Sequence, residues 1–158
     1  MQQLFVLALA GCLISGCHAQ PATTQFSEKF ALIQVKVGDE LIQVQLADTD
    51  AKRSQGLMGQ TPLQHGMLLL HKTAKPMVLW MKNTPSALDV AFIDANWNIV
   101  GMAQMQPFSE DLHPSPGPVI GALEMPLGWF NKTNIQLGQQ LVLCAQQQCQ
   151  SAPSVNKN

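Results

Sequence analysis

The stretch ALIQVKVGDELIQVQL, residues 31–46, decides how the rest of the chain is interpreted. Apolar and polar residues alternate over residues 31–37 and again over residues 41–46. This two-residue period predicts two strands that each bury one face, and Gly38-Asp39-Glu40 between them predicts the turn of a hairpin. The folded part of the chain is therefore expected to begin near residue 31, with β structure.

Short apolar or alternating segments continue along the chain, separated by Gly, Pro, Asn and Asp. Residues 51–55 predict one short helix, and residues 126–130 a turn or a single helical turn. The further predicted strands are 67–70, 77–81, 88–94, 98–105, 119–125 and 141–145. Strands this short and frequent are typical of a sandwich or barrel. We predict one mainly β domain over residues 31–145, a jelly-roll-like β-sandwich or partly closed barrel with one or two short helices.

One proline-rich segment interrupts this pattern, at residues 106–118. Loops of this length inside a compact domain are usually functional or mobile. The alternative is a rigid, polyproline-like crossover at the end of the sandwich, and the sequence does not choose between the two.

Charge excludes one class of partner. The net charge is −1 at pH 7 and only 12% of residues are charged. Without a basic surplus the chain cannot displace counterions from phosphates, so no nucleic-acid partner is expected.

The N-terminus predicts export. Residues 4–14 are almost wholly apolar, too short to span a bilayer as a helix but suited to a secretory signal. The following Ile14-Ser15-Gly16-Cys17 resembles a bacterial lipobox, which implies a diacylglycerol on Cys17 as the first residue after cleavage. We predict a signal peptide at 1–16 and a tether at 17–30, with the membrane as partner through the lipid anchor.

The resemblance also implies a location. His18 is not the Asp associated with inner-membrane retention, which implies a periplasm-facing lipoprotein of the outer membrane. The alternative is a soluble secreted or periplasmic protein cut near Ala19. In that oxidising space Cys144 and Cys149 are predicted to form a short disulfide. A zinc pair is the rival, but no His pair lies nearby at ligand spacing. Residues 146–158 are predicted to be a flexible tail.

Over about residues 31–143 the chain resembles the bacterial and archaeal family called domain of unknown function 192. The resemblance rests on Arg53-Ser54-Gln55-Gly56-Leu57-Met58, Gly66-Met67-Leu68-Leu69, Trp80-Met81-Lys82-Asn83-Thr84 and Leu88-Asp89. It implies a jelly-roll-like β-sandwich and no particular activity. Gly59 and Gln60 depart from the family, which usually carries an aromatic residue and an Arg there. That departure would remove one anion contact.

The few charged residues inside apolar segments are the candidate site. Arg53 is the only Arg, and Asp89 and Glu124 lie within apolar strands, where a carboxylate needs a partner. One interpretation is a structural ion-pair network of Arg53 or Lys82 with both acids. The other is a binding pocket whose members are Arg53, Trp80, Lys82, Asn83, Asp89 and Glu124. That mixture of aromatic, cationic, amide and acidic groups would suit a sugar or cell-wall fragment. Asn83 could instead be only a turn residue.

These residues lead to two functional hypotheses. The first is an envelope lipoprotein that binds a cell-wall fragment, a polysaccharide or an envelope protein without catalysis. The alternative is an envelope hydrolase that cleaves glycan or cell-wall material with Asp89 and Glu124 as its carboxylates. A weaker hypothesis is copper binding by Met77 and Met81, although such thioethers more often fill a core. No cofactor and no metal site is predicted.

Overall fold

The computed structural model describes residues 28–145 and 148–149. The strands are β1 (Ala31–Val37), β2 (Glu40–Ala47), β3 (Gly66–Lys75), β4 (Val78–Leu79), β5 (Leu88–Ile93), β6 (Ile99–Met105), β7 (His113–Pro114), β8 (Val119–Pro126), β9 (Leu141–Ala145) and β10 (Gln148–Cys149). The helices are α1 (Asp50–Gln55) and α2 (Trp129–Lys132). Within the described ranges, neither helix is long and apolar enough to cross a membrane.

Eight strands form one sheet in the order β10-β9-β1-β2-β3-β8-β5-β6, and β4 pairs with β7 in a separate small sheet. Only β2 and β3 run parallel; the other described pairs are antiparallel. The large sheet curls, because the Ile99 N–H donates to the Gln139 carbonyl at 2.8 Å and the Leu141 N–H to the Trp97 carbonyl at 2.8 Å. These bonds bring the start of β6 against the start of β9. The predicted mainly β fold with two short helices is confirmed, in the form of a half-barrel.

Apolar side chains pack on both faces of this sheet. The central strand β5 is buried throughout, and its residues alternate between the two sides. Leu88, Val90 and Phe92 belong to one core cluster, whereas Ala91 and Ile93 belong to the other. We call these the Val90 cluster and the Ala91 cluster. The alternation decides on which side of the sheet each buried acid lies.

The hairpin predicted at residues 31–46 is present as β1 and β2, in register from Ala31 opposite Leu46 to Val37 opposite Glu40. Gly38 in the turn has a positive φ of 56°, which suits glycine. Helix α1 begins after Thr49, whose hydroxyl accepts from the Lys52 N–H at 3.2 Å. These elements form where their local signals lie.

At the C-terminal end, a disulfide joins Cys144 to Cys149, and β10 pairs with β9. Apart from residues 148–149, the range 146–158 predicted as a flexible tail lies outside the described residues, and the tail stays a prediction. The predicted signal peptide, Cys17 and most of the tether lie outside the described residues, as does Cys12.

The proline-rich segment lies along residues 77–84. Its strand β7 pairs with β4, the Met81 N–H donates to the Ser109 carbonyl at 2.9 Å, and the Phe108 N–H donates to the Thr84 carbonyl at 3.0 Å. The Ser115 hydroxyl also accepts from the Met77 N–H at 3.0 Å. Of the two alternatives for this segment, a functional or mobile loop and a rigid crossover, these bonds favour the rigid crossover.

Candidate functional site

Glu124 lies in β8, a central strand between β3 and β5. It stands opposite Met67 on one neighbour and Val90 on the other, both in the Val90 cluster. The residue is only 6% exposed. Strand pairing thus fixes a carboxyl group on the apolar face of the sheet that carries the Val90 cluster.

Two glycines bring β3 and β8 close together around this position. A Cβ added at Gly66 would clash with the Glu124 carbonyl oxygen, and one at Gly121 would clash with the Leu69 carbonyl oxygen. Only glycine permits so close an approach of the two backbones. Gly66 and Gly121 therefore set the position from which Glu124 projects.

The Glu124 carboxyl has no partner in the part of the chain that the structure describes. Across residues 28–145 and 148–149, no donor makes a hydrogen bond or ion pair with it. Burial raises the pKa of Glu124 to about 7, because the charged form loses solvation without gaining a counter-charge. Within the same ranges no fully enclosed side-chain oxygen or nitrogen lacks a partner, so this carboxyl reaches open space.

That open space is a cleft of about 350 Å³. This volume is near the lower end of the range of roughly 300–1,000 Å³ that is usual for small-molecule sites. The lining comes from α1 and the turn after it, from β3, from residues 76–80 and 84, and from β8. Its lining includes the side chains of Arg53, Met58, Leu69, His71, Lys75, Met77, Leu79, Trp80, Thr84 and Glu124.

Arg53 borders the cleft, and two nearby groups hold its guanidinium in place. One guanidinium nitrogen, Nη1, donates to the Leu70 carbonyl at 2.6 Å, and Nη2 pairs with the Asp50 carboxylate. The Arg53 side chain is 14% exposed, whereas that of Asp50 is 94% exposed. Since a guanidinium carries five N–H donors, these two contacts leave donors for a ligand.

His71 and Lys75 complete the basic border of the cleft, both from the second half of β3. Burial lowers the pKa of His71 below its ordinary value, and the positive charges of Arg53 and Lys75 lower it further. Lys75 is exposed and, in the described part of the chain, has no ion-pair partner. The mouth is therefore cationic, whereas the floor carries an acid.

Trp80 stands at the mouth and is 44% exposed. The Lys82 ammonium lies 5.1 Å from the centroid of the Trp80 ring, over one of its faces, and 3.8 Å from a Glu110 carboxylate oxygen. Lys82 does not line the cleft. Its place in the predicted site is thus indirect, as a cation that orients the indole.

Asn83 has a positive φ of 58° and lies in a turn, where its carbonyl accepts the Gly59 N–H at 2.9 Å. Asn83 does not line the cleft, which agrees with its interpretation as a turn residue only. Its neighbour Thr84, which is buried, does line the cleft.

Asp89 lies on the opposite face of the sheet from Glu124. Val90 pairs with Glu124, so Asp89, one residue earlier, projects to the side of the Ala91 cluster. Its carboxylate accepts the Phe130 N–H at 3.1 Å and the Gln104 side-chain amide at 3.2 Å. Asp89 therefore anchors the start of α2 and borders a separate cavity of about 200 Å³.

The predicted ion-pair network of Arg53 or Lys82 with both acids is consequently wrong. Arg53 pairs with Asp50, and Lys82 with Glu110. The two carboxylates proposed for a hydrolase share no cleft, since the sheet separates them. Arg53, Trp80 and Glu124 are the predicted site residues that the fold brings together.

Met77 and Met81 both belong to the Val90 cluster, together with Met105. Met77 lines the cleft, but Met81 is 1% exposed and does not. Within the described ranges no group of three His, Cys, Asp or Glu side chains could hold a metal ion. All three Met side chains pack in the core, in keeping with the usual role of Met.

Sequence reasoning missed His71, Lys75, Met58 and Thr84. The strand predicted at 67–70 ends too early, because β3 continues to Lys75. His71 and Lys75 lie two and six residues after Leu69, at positions that share its parity. Extending the strand through these polar residues would have placed His71 on the face of Leu69. It would not have placed Lys75, because the register of β3 shifts between Leu70 and Lys75.

The model of the family DUF192, described as "Uncharacterized ACR, COG1430", matches residues 33–143. The chain belongs to this family. The DUF192 match runs from within β1 to within β9 and includes all the residues of the cleft. It confirms the resemblance drawn from the sequence.

Two solved structures show the same fold as this DUF192 chain. One, from Sinorhizobium meliloti 1021, is presented as a candidate transcription regulator; it is 29% identical, with 74% of this chain and 97% of that chain covered and a TM-score of 0.71. The other, from Novosphingobium aromaticivorans DSM 12444, is a protein of unknown function; it is 26% identical, with 78% and 93% covered and a TM-score of 0.69. No curated protein gives a significant match.

Proposed function

We propose that this DUF192 chain is an envelope lipoprotein that binds, without catalysis, a small polar ligand from the cell wall or a polysaccharide in the cleft above Glu124. The observation that carries the proposal is the carboxyl of the buried residue Glu124, which has no partner in the described chain and opens into the cleft. A buried acid without a partner costs free energy that a ligand can recover. Groups of this kind are common at functional sites.

The neighbours of Glu124 support a binding role over a catalytic one. A glycosidase of the usual kind needs two carboxyl groups about 5–10 Å apart across one substrate. Here the second acid, Asp89, lies across the sheet and is already bonded. The half-exposed Trp80 offers a flat surface at the mouth, on which a sugar ring can stack.

The proposed location rests on the sequence. The apolar run at 4–14 and the lipobox-like Ile14-Ser15-Gly16-Cys17 support a cleaved signal, a lipid on Cys17 and an anchor in the outer membrane. A regulator that acts on nucleic acid, by likeness to the Sinorhizobium protein, has no support in a net charge of −1.

The ligand part is tested with the full chain purified in detergent and with N-acetylglucosaminyl-N-acetylmuramyl peptides released from cell walls by a muramidase. Calorimetry should detect binding to the wild type and a loss of at least about tenfold in Glu124→Gln, since a charge-assisted hydrogen bond is lost. Glu40→Gln is the matched control, because Glu40 lies on β2 and does not line the cleft. Equal affinity of all three proteins would refute the role of Glu124.

The location is tested by growth with an alkyne-labelled fatty acid and detection of the label on the protein. Cys17→Ala should abolish labelling, whereas Cys12→Ala should keep it. Labelling that survives Cys17→Ala would refute the anchor at that residue.

A further inference from the structure

The cleft combines an acidic floor, apolar walls and a basic mouth. We propose, on the basis of the binding function above, that its ligand is a diamino-acid residue: the side-chain ammonium contacts Glu124, the aliphatic stem lies between the walls, and the carboxylate meets Arg53 and Lys75. A C-terminal lysine, ornithine or diaminopimelate residue, whose α-carboxylate is free, has this chemistry. The inference narrows the proposed cell-wall ligand to the peptide portion rather than the sugar.

The floor favours an ammonium over a sugar hydroxyl. Glu124 has no donor among the described protein groups, so its negative charge has no local compensation. A hydroxyl would supply one hydrogen bond but no charge, whereas an ammonium supplies both. A buried carboxylate is stabilised when it is paired and hydrogen-bonded, which an ammonium achieves in one group.

The walls favour a methylene chain. Between the floor and the mouth the lining includes the thioethers of Met58 and Met77 and the side chains of Leu69 and Leu79. Thr84 is a hydroxyl-bearing member of the lining, and its Oγ1 already lies 3.5 Å from the Lys82 carbonyl. Sugar sites need many directional polar groups, whereas these walls match the aliphatic stem of a diamino acid.

The mouth favours an anion. Arg53 has unused donors, and the Lys75 ammonium has no ion-pair partner in the described chain. His71 adds no strong charge at neutral pH because its pKa is lowered. The Asp50 carboxylate at the mouth is already paired with Arg53. A carboxylate that meets a guanidinium and an ammonium gains charge-assisted hydrogen bonds.

The test uses three small probes that differ by one group: Nα-acetyl-lysine, Nα,Nε-diacetyl-lysine without the ammonium, and Nα-acetyl-lysinamide without the carboxylate. Their affinities for the full chain are measured by NMR shift titration. We expect the diacetyl probe to bind at least about tenfold more weakly than Nα-acetyl-lysine, and the amide probe severalfold more weakly because the mouth is wetter. Equal binding of the first two probes would overturn the inference.

Variants assign each group to its partner. Glu124→Gln should weaken Nα-acetyl-lysine at least tenfold and leave the diacetyl probe unchanged. Lys75→Ala should weaken Nα-acetyl-lysine but not the amide probe, whereas Lys72→Ala, in the same strand but outside the lining, should change neither. A variant that weakens all probes alike would contradict the assignment. The wild-type probe series decides the matter even if Glu124→Gln fails to fold.

A further pair of ligands separates this inference from the proposed function. Muramyl peptides are compared before and after acetylation of their free amines. If both forms bind with the same affinity and compete for the site at Glu124, the result supports the cell-wall function and refutes the diamino-acid ligand. If the lysine probes bind through Glu124 and no muramyl peptide does, the result supports the diamino-acid ligand and refutes the cell wall as its source. Failure of every probe would overturn both.

Discussion

The buried carboxyl of Glu124 predicts that one amide substitution stabilises the protein at alkaline pH. Glu124→Gln keeps the size of the side chain and removes its charge. In the folded protein the pKa of Glu124 is about 7, against an ordinary value of 4.5. The folded state therefore binds this proton more tightly than the unfolded state does.

The sign and size follow from proton linkage. Because the folded-state pKa is raised, the stability due to the neutral acid is fully present below pH 4.5 and is lost as the pH rises through about 7. The difference between the two pKa values corresponds to about 3 kcal/mol, at about 1.4 kcal/mol for each pH unit. Gln does not titrate, so Glu124→Gln should be more stable than the wild type at pH 8.5 by about 2–3 kcal/mol. At pH 4.5 the two proteins should be nearly equal.

Urea unfolding measures this directly. The chain contains three Trp residues, and Trp97 and Trp129 pack against the Ala91 cluster, so Trp fluorescence reports loss of the fold. Unfolding is followed at pH 4.5, 6, 7 and 8.5 without reductant, to keep the disulfide. Glu40→Gln serves as control, because Glu40 is on the hairpin and has no ion pair in the described chain. Its curve should run parallel to that of the wild type.

Two results would refute this reasoning. If the wild type and Glu124→Gln depend on pH in the same way, the acid is not desolvated in the folded state. If Glu124→Gln is less stable than the wild type at pH 8.5, the carboxylate has a stabilising partner within the protein. Either result would also remove the main support for the ligand site.

Three further predictions concern other groups. Asp89→Asn should lower the free energy of unfolding by about 1–3 kcal/mol, because a bonded buried carboxylate is lost, and should leave the affinity of the cleft for muramyl peptides unchanged. The pKa of His71, followed by NMR, should lie below 6.5 and rise in Arg53→Gln, which removes a nearby positive charge. Replacing both Cys144 and Cys149 by Ser should lower the free energy of unfolding in urea by no more than about 2 kcal/mol, since the closed loop is short; a much larger loss would mean that this link supports the whole sheet.

Local signals predicted much of the fold. The alternation and turn at 31–46 gave the first hairpin, and the Thr49 cap with Gly56 gave α1 almost to the residue. Both depend on contacts between residues close in the chain. The curl of the sheet depends instead on bonds between residues 97–99 and 139–141, which no local pattern encodes. The sequence accordingly left the choice between sandwich and barrel open.

The site was harder to predict for a related reason. β5 is buried at every position, and β8 over most of its length. Strands buried on both sides show no alternation of apolar and polar residues, so the side to which Asp89 or Glu124 projects cannot be deduced from either strand alone. Their register does decide it, since Val90 rather than Asp89 stands beside Glu124. One residue of register separates a carboxylate pair from two acids on opposite faces.

Asp89 and Glu124 differ in the hydrogen-bond donors that the fold provides for their carboxyl groups. This difference is the argument for a ligand at Glu124. Asp89 receives a backbone N–H and a side-chain amide, so its burial is compensated by the structure that it supports. Glu124 receives nothing from the described chain, although an amide or an aliphatic side chain there would lower the cost of folding at neutral pH. Buried polar groups usually have hydrogen-bond partners, and Glu124 departs from this rule while it faces a cleft. At such positions a functional role is expected to outweigh the loss of stability. We therefore expect the ligand of Glu124 to bring its own positive charge and an apolar stem.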